Sequence, residues 1–333
     1  MLKSIVETNK WKRQESVGKV EGKVEGKVEG KVEGKVEEGD NKKFHEEYQY
    51  INLLKDIMEH GSMEMGRNGN TKCVFGSAMH FSLENGTIPI LTTKKTAWKT
   101  CLKELLWFVK GHTDNKILNE QNVHIWDGNS SPEYMKSVGL SHHIEGDLGP
   151  IYGYQWRFFN APYSSCNENY QGSGVDQLQN VIDCLKDPLR RTSRRLVVSA
   201  WNPCQIDKAV LPPCHVLFQF NVIDGNKLSC SLYQRSVDTA LGQPFNIASY
   251  SFLTHLIAKH CGLEPYEFVY YMGNCHIYED HIDNMKEQVE RDPYAFPTVE
   301  IKNVREDIGL YEIDDFVVTG YQHHSPIKMK MVA

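Results

Sequence analysis

Leu211-Pro212-Pro213-Cys214-His215, followed by Val216–Ile223, Asp224-Gly225 and a return that ends Tyr233-Gln234-Arg235-Ser236, is the stretch that decides the reading of this chain. Asp-Gly between two apolar-patterned runs is a strong signal for a two-residue hairpin turn. With the turn centred between 224 and 225, paired residue numbers sum to 449 and Cys214 faces Arg235. If Asn226 joins the turn as a third residue, the sum becomes 450 and Cys214 faces Ser236. Either register sets the thiol beside a polar or cationic group. A thiolate is the nucleophilic form of cysteine, and a neighbouring guanidinium favours it over the thiol.

Outward from the hairpin, composition sets the bounds. A chain of 333 residues, 40% hydrophobic, is long enough for a sizeable core in a soluble globular protein. Lys and Arg total 37 against 43 acids, a net charge of −6, which argues against nucleic acid as a partner but not against a few arginines gripping one phosphate. No run of apolar residues is long enough to span a membrane, and Met1-Leu2-Lys3-Ser4-Ile5 lacks the apolar core of a signal peptide, so a cytoplasmic site is expected. Nine cysteines, an odd number with no CxxC pair, exclude a disulfide framework. Neither Cys275-His276 nor His323-His324 has partners at ligand spacing, so no metal is expected.

Residues 18–37 are five tandem copies of Gly-Lys-Val-Glu. As a helix this repeat would set Lys on Lys and Glu on Glu at every i,i+4 step, and each glycine would cost roughly 1 kcal/mol relative to alanine. One valine in four builds no core, so residues 1–42 are expected to be a flexible polyampholyte tail and 43–333 the folded domain. Within that domain helix and strand signals mix without βαβ alternation. The expected class is α+β, a single large domain with a mixed or antiparallel central sheet flanked by helices. Trp98, Cys101, Leu102, Leu105, Leu106 and Val109 recur at helical spacing and predict a helix over 96–110, with Glu104 at the margin of its buried stripe. Strands are predicted at 195–201, 215–223 and 227–234, and a long apolar helix from Pro244 toward Gly262.

With PPCH, YQRS and FNIASY (Phe245–Tyr250) stand TTKK at Thr92, ELLWF at Glu104, GDLGPIYG at Gly146, QWR at Gln155, GVDQL at Gly174, SAWNP at Ser199 and HIY at His276. Together, from about Phe44 to Ala333, the chain resembles thymidylate synthase. The resemblance implies that family's fold, with the sheet packing against a second subunit. It also implies reductive methylation of dUMP to dTMP, with 5,10-methylenetetrahydrofolate as donor of both the one-carbon unit and the hydride and with dihydrofolate released.

Carried onto these residues, the resemblance makes Cys214 the nucleophile that adds to C6 of the pyrimidine. Asn246, with a water network around Glu104 and His276, would stabilise charge developing on O4. Glu104 would have its pKa raised by apolar neighbours into the range of a general acid or base. Tyr152, in a glycine-and-proline loop, would serve proton abstraction from C5, and Asp238 would meet the pterin. The phosphate falls to arginine forks: Arg67, Arg235, and Arg194 with Arg195, the last two reaching across a homodimer into the partner's site. His276 and Tyr278, two apart on a strand, would hold the ribose from one face. His215, Gln234 and Ser236 complete the dUMP set. Ile125, Trp126, Asn129, Leu241, Gly242 and Phe245 match the folate positions, Lys94 would meet a polyglutamate tail, and Val332 and Ala333 would close over the ring.

Three departures touch loop geometry. The loop Arg67-Asn68-Gly69-Asn70-Thr71 is one residue shorter than the family's RTGTGT, Asn274 stands where an acid usually precedes HIY, and His323-His324-Ser325 replaces Pro-His-Pro. The rival readings are a dUMP or dCMP hydroxymethyltransferase, which traps the same intermediate with water, and an RNA-binding regulator or inactive scaffold. The complete set of residues argues against the scaffold, and the net negative charge argues against RNA.

Overall fold

The computed structural model describes residues 45–66 and 69–330. The tail at 1–42, Arg67, Val332 and Ala333 therefore lie outside the described residues. The helices are α1 Tyr48–His60, α2 Trp98–Val109, α3 Asn115–Asn119, α4 Asp127–Ser130, α5 Pro132–Ser137, α6 Tyr152–Phe158, α7 Gln177–Lys186, α8 Gly242–Cys261 and α9 Ile282–Gln288. The strands are β1 Ser62–Gly66, β2 Gly69–Ser82, β3 Val197–Ser199, β4 His215–Ile223, β5 Lys227–Asp238, β6 Glu264–Tyr278, β7 Thr298–Ile301 and β8 Phe316–Thr319. Six strands form one mixed sheet in the order β1-β2-β6-β5-β4-β3; β5 and β6 run parallel and every other pair is antiparallel. β7 and β8 form a separate antiparallel ribbon. No helix among the described residues is long and apolar enough to cross a membrane.

The core lies on one face of the large sheet. Alternation along the strands turns Phe218 and Phe220, Cys230 and Leu232, and Phe268 and Tyr270 inward, each 0–1% exposed. α8 covers them, and it is buried almost all round, which is why its sequence is apolar without a polar stripe. Filling a site such as Phe252 in α8 is worth several kcal/mol, since Phe→Ala in a core costs about 3–5 kcal/mol. The helix begins at Gly242, two residues earlier than Pro244. It ends where Gly262 takes φ 68°, a left-handed cap that satisfies the carbonyls of Ala258 and Lys259. The helix expected at 96–110 is α2.

The strand expected at 195–201 is regular only over Val197–Ser199, although backbone bonds to β4 extend from the Leu196 carbonyl, which accepts from Phe220 N–H, to the N–H groups of Ala200 and Trp201, which share the Val216 carbonyl. Among the described residues, nothing covers the sheet's other face. Val197, Tyr233 and Tyr271 are 38–48% exposed there, beside Leu217 and Gln219 on β4.

Candidate active site

The hairpin uses both registers. Asp224 and Gly225 take φ 50° and 83°, and Asn226 joins the turn, so Ile223 pairs with Lys227 and Leu217 with Tyr233. A bulge between His215 and Leu217 then shifts the ladder by one residue and sets His215 opposite Gln234. Cys214 is thereby brought back across from Arg235, whose backbone N–H donates to the Cys214 carbonyl at 2.9 Å. The Arg235 guanidinium is held beside the thiol by Pro212 and Pro213, whose carbonyls accept from Nη2 at 2.8 Å and Nε at 3.0 Å. It also lies over the Trp201 ring at 5.5 Å.

Burial pushes the Cys214 thiol up, and the opposing pulls of Arg235 and of Tyr152 do not cancel that rise. Two groups are thus placed to stabilise the anion once it forms.

Tyr152 is not in a loop; it is the first residue of α6. The helix can start there because Gly149 takes φ 74°, a left-handed turn in which a side chain would meet the Lys208 carbonyl. Gly153 lets α6 approach α2, since a Cβ would stand 2.3 Å from the Phe108 carbonyl oxygen. The Tyr152 hydroxyl accepts from the Cys214 N–H at 2.9 Å, and its ring packs against Phe108 and His215 at 5.0 Å.

Glu104, on α2, accepts from Trp126 Nε1–H at 2.7 Å. Burial pushes its carboxyl up to about 7, against the pull of that bond. Such a group exchanges protons near neutrality, as a general acid or base must. Asn246 donates from Nδ2 to His215 Nε2 at 2.9 Å. Burial drives His215 down to about 3, so the ring is neutral and Nε2 is a free acceptor. That bond leaves Asn246 with its Oδ1 and one N–H, one acceptor and one donor side by side.

A cavity of about 970 Å³ opens beside these residues. Of the residues expected from the sequence, Cys214, Arg235, Ser236, Asp238, Asn129, His276 and Tyr278 lie on its wall. Asp238, the last residue of β5, uses Oδ1 to accept from the N–H groups of Ala240 and Leu241, both at 3.0 Å. Glu104, Tyr152, His215 and Asn246 stand behind the wall as one connected cluster. Gln234 is buried, and its amide is used on Tyr270 and the Ser236 carbonyl.

Among the described residues, the structure does not bring the rest of the expected set to the wall. Trp126 is buried behind it, and Ile125, Leu241, Gly242 and Phe245 do not border it. Lys94 is buried, donates to the Ala240 carbonyl and is pushed down to about 8, chiefly by that burial, so its head is spent inside the fold. Arg194 and Arg195 are exposed just before β3, with no ion-pair partner among the described residues. Sequence reasoning missed Tyr134 on α5, Asp207 in the turn before Val210, and Glu64 on β1, all of which reach the wall. It also missed the buried amides Gln155, Asn202 and Gln205, which tie α6 to the turn that carries Asp207 at 2.8–3.3 Å. No local pattern marks a residue that only a distant loop brings into place.

Comparison with known proteins fits this geometry. A sequence model of the family described as thymidylate synthase matches residues 48–333. "Thymidylate synthase 1/2" of Encephalitozoon cuniculi (strain GB-M1) is 48% identical over 87% of this chain and 98% of its own length. "Bifunctional dihydrofolate reductase-thymidylate synthase" of Zea mays is 49% identical over 86% of this chain and 54% of its own length. "Probable thymidylate synthase" of Schizosaccharomyces pombe is 50% identical over 86% of this chain and 47% of its own length. The chain spans about half the length of the latter two relatives and nearly all of the first. From residue 48 onward, then, with Cys214 set against Arg235 at the edge of an open cavity, the chain belongs to the thymidylate synthase family.

Proposed function

We propose that this chain converts dUMP to dTMP and that Cys214 is its nucleophile. The observation that supports this most is the placement of a cavity-wall thiol against the Arg235 guanidinium, with the Tyr152 hydroxyl on its backbone N–H and Glu104 behind. The pyrimidine C5 is a poor nucleophile until a thiolate adds to C6, and the new S–C6 bond pushes electrons toward C5 and O4. Asn246 offers O4 an N–H and N3–H an oxygen. Arg235, Ser236, His276 and Tyr278 supply donors and acceptors for the phosphate and sugar, with Arg67 as a further phosphate ligand.

The co-substrate 5,10-methylenetetrahydrofolate supplies the one-carbon unit and the hydride. A cavity near 970 Å³ has room for a nucleotide and a flat heterocycle together, and Asn129 and Asp238 give its wall polar anchors. Asp238 spends only Oδ1 on the backbone and keeps Oδ2 for a donor. Glu104, near 7, can give up or take up a proton at C5 or O4 close to neutrality.

We further propose a homodimer formed through the open sheet face, where exposed Tyr233, Tyr271 and Val197 would be covered, with Arg194 and Arg195 serving the partner's phosphate site. A cytoplasmic site, expected from the sequence, stays part of the proposal. The direct assay is absorbance at 340 nm during turnover of dUMP with methylenetetrahydrofolate. The expected result is a rise as dihydrofolate forms. Hydroxymethyl product with no rise would replace this reading with the hydroxymethyltransferase, and no turnover would refute both.

A further inference from the structure

Asn274 and His276 stand two apart on β6, so both project from the same face into the cavity wall. Asn274 pairs with Ser236 on β5 and Phe75 on β2; His276 pairs with Asp238 and Cys73. Asn274 Oδ1 lies 2.9 Å from His276 Nδ1. Two acceptors cannot share a hydrogen bond, so Nδ1 carries the hydrogen and donates it to Asn274. In a neutral ring that leaves Nε2 as a bare lone pair, and nothing among the described residues bonds to it. The Tyr278 ring, edge-on at 5.4 Å, holds the imidazole plane.

We propose that Asn274 is a positioning residue for sugar recognition: it fixes His276 in the Nδ1–H tautomer, so that Nε2 accepts a hydrogen bond from a ribose hydroxyl. This rests on the dUMP reading above. The opposite tautomer would present an N–H to the cavity and prefer a sugar substituent that only accepts. The tautomer therefore decides whether the site asks for a donor, and Asn274 decides the tautomer.

The titratable and charged groups around His276 are Asp238 from β5, Cys73 from β2, Tyr278 on its own strand, and Glu64, Tyr134, Asp207, Cys214 and the Arg235 guanidinium elsewhere on the cavity wall. Burial pushes the imidazole below its ordinary range, and Asp238 and a hydrogen bond to the Asn274 backbone pull it back up. Asn274 adds no charge to this balance. A carboxylate at 274 would keep the acceptor but favour imidazolium, moving the loss of the bare Nε2 to higher pH.

The test uses the full chain and two ligands, dUMP and its 3′-deoxy-3′-fluoro analogue, which keeps an acceptor at 3′ and loses the donor. Long-range ¹H–¹⁵N NMR of histidine-labelled protein without ligand should give the Nδ1–H tautomer for His276, and a mixture in Asn274→Ala. The wild type should bind dUMP roughly ten- to a hundredfold more tightly than the fluoro analogue, as expected for an acceptor left unpaired, and Asn274→Ala should cut that ratio to a few-fold. Asn274→Asp should keep both tautomer and ratio at pH 9 and lose the ratio on acidification at a higher pH than the wild type does. An Nε2–H tautomer in the wild type or in Asn274→Asp at pH 9, or a ratio unchanged in Asn274→Ala, would overturn the proposal and leave the dUMP reading standing. If His276 holds the Nδ1–H tautomer and the wild type binds no dUMP, the dUMP reading falls and the sugar role falls with it. The aspartate variant keeps the side-chain volume, so it decides the matter if the alanine variant does not fold.

Discussion

Replacing Glu104 with glutamine should stabilise the fold at alkaline pH while removing catalysis, and the size of the effect follows from the site. Burial lifts the carboxyl from 4.5 to about 7, a gap of roughly 3 kcal/mol at about 1.36 kcal/mol per unit. Because the folded pKa lies above the unfolded one, the folded chain holds a proton between pH 4.5 and 7 that the unfolded chain has released. Stability from this group is full below that window, falls as pH rises through it, and is level above it. Glutamine has no proton to lose and still offers an oxygen to Trp126 Nε1–H, now 2.7 Å from Oε1. The variant and wild type should therefore unfold alike in urea near pH 4.5 and diverge to at most about 3 kcal/mol by pH 8, at matched protein concentration. kcat should fall by about 10²–10⁴ at every pH, the range for a lost general acid or base. Stability curves that run parallel across pH would refute the assignment of a buried, proton-holding Glu104.

Cys214→Ser should lose turnover by at least about a thousandfold while dUMP binding changes little, because serine's alkoxide is out of reach at neutral pH and Arg235 is untouched; turnover within tenfold of wild type would remove Cys214 from the mechanism. Mixing Cys214→Ser chains with chains carrying both Arg194→Ala and Arg195→Ala, each inactive alone, should restore activity in the hybrid dimer, which contains one complete site. No recovery under proven subunit exchange would place those arginines outside the partner's site. Asn246→Asp should lose dUMP methylation and gain reaction with dCMP, since a protonated carboxyl offers N3 a donor and the 4-amino group an acceptor. Retained preference for dUMP, read from kcat/KM on both nucleotides, would assign base choice to another residue.

The hairpin gives the clearest measure of how much the sequence reveals. Asp224-Gly225 marks the turn and leaves two registers open; the structure follows the three-residue turn and then reverses its consequence with a bulge at Val216, a residue that looks like any other in a strand. α2 and α8 were legible because burial imposes a 3.6-residue period on one and continuous apolarity on the other. Tyr152 was misplaced because Gly149-Pro150 signals a loop with equal force whether or not a helix starts two residues later. The burial of Lys94 was not legible, because it depends on the carbonyl of Ala240, which no local pattern links to it. At Cys214 the sequence pairs the thiol with a charge, whereas the desolvation that opposes that charge belongs to the packed site and leaves no local signal.

Covalent capture at Cys214 is the most direct measurement. 5-Fluoro-dUMP carries fluorine where C5 must lose a proton, so a chain that adds a thiolate to C6 and joins C5 to the one-carbon unit is trapped with both ligands attached. The full chain incubated with 5-fluoro-dUMP and methylenetetrahydrofolate, digested and analysed by mass spectrometry, should carry nucleotide and folate on the peptide containing Cys214 and on no other. An adduct on a different cysteine, or active protein that forms none, would contradict the assignment of Cys214 as the nucleophile.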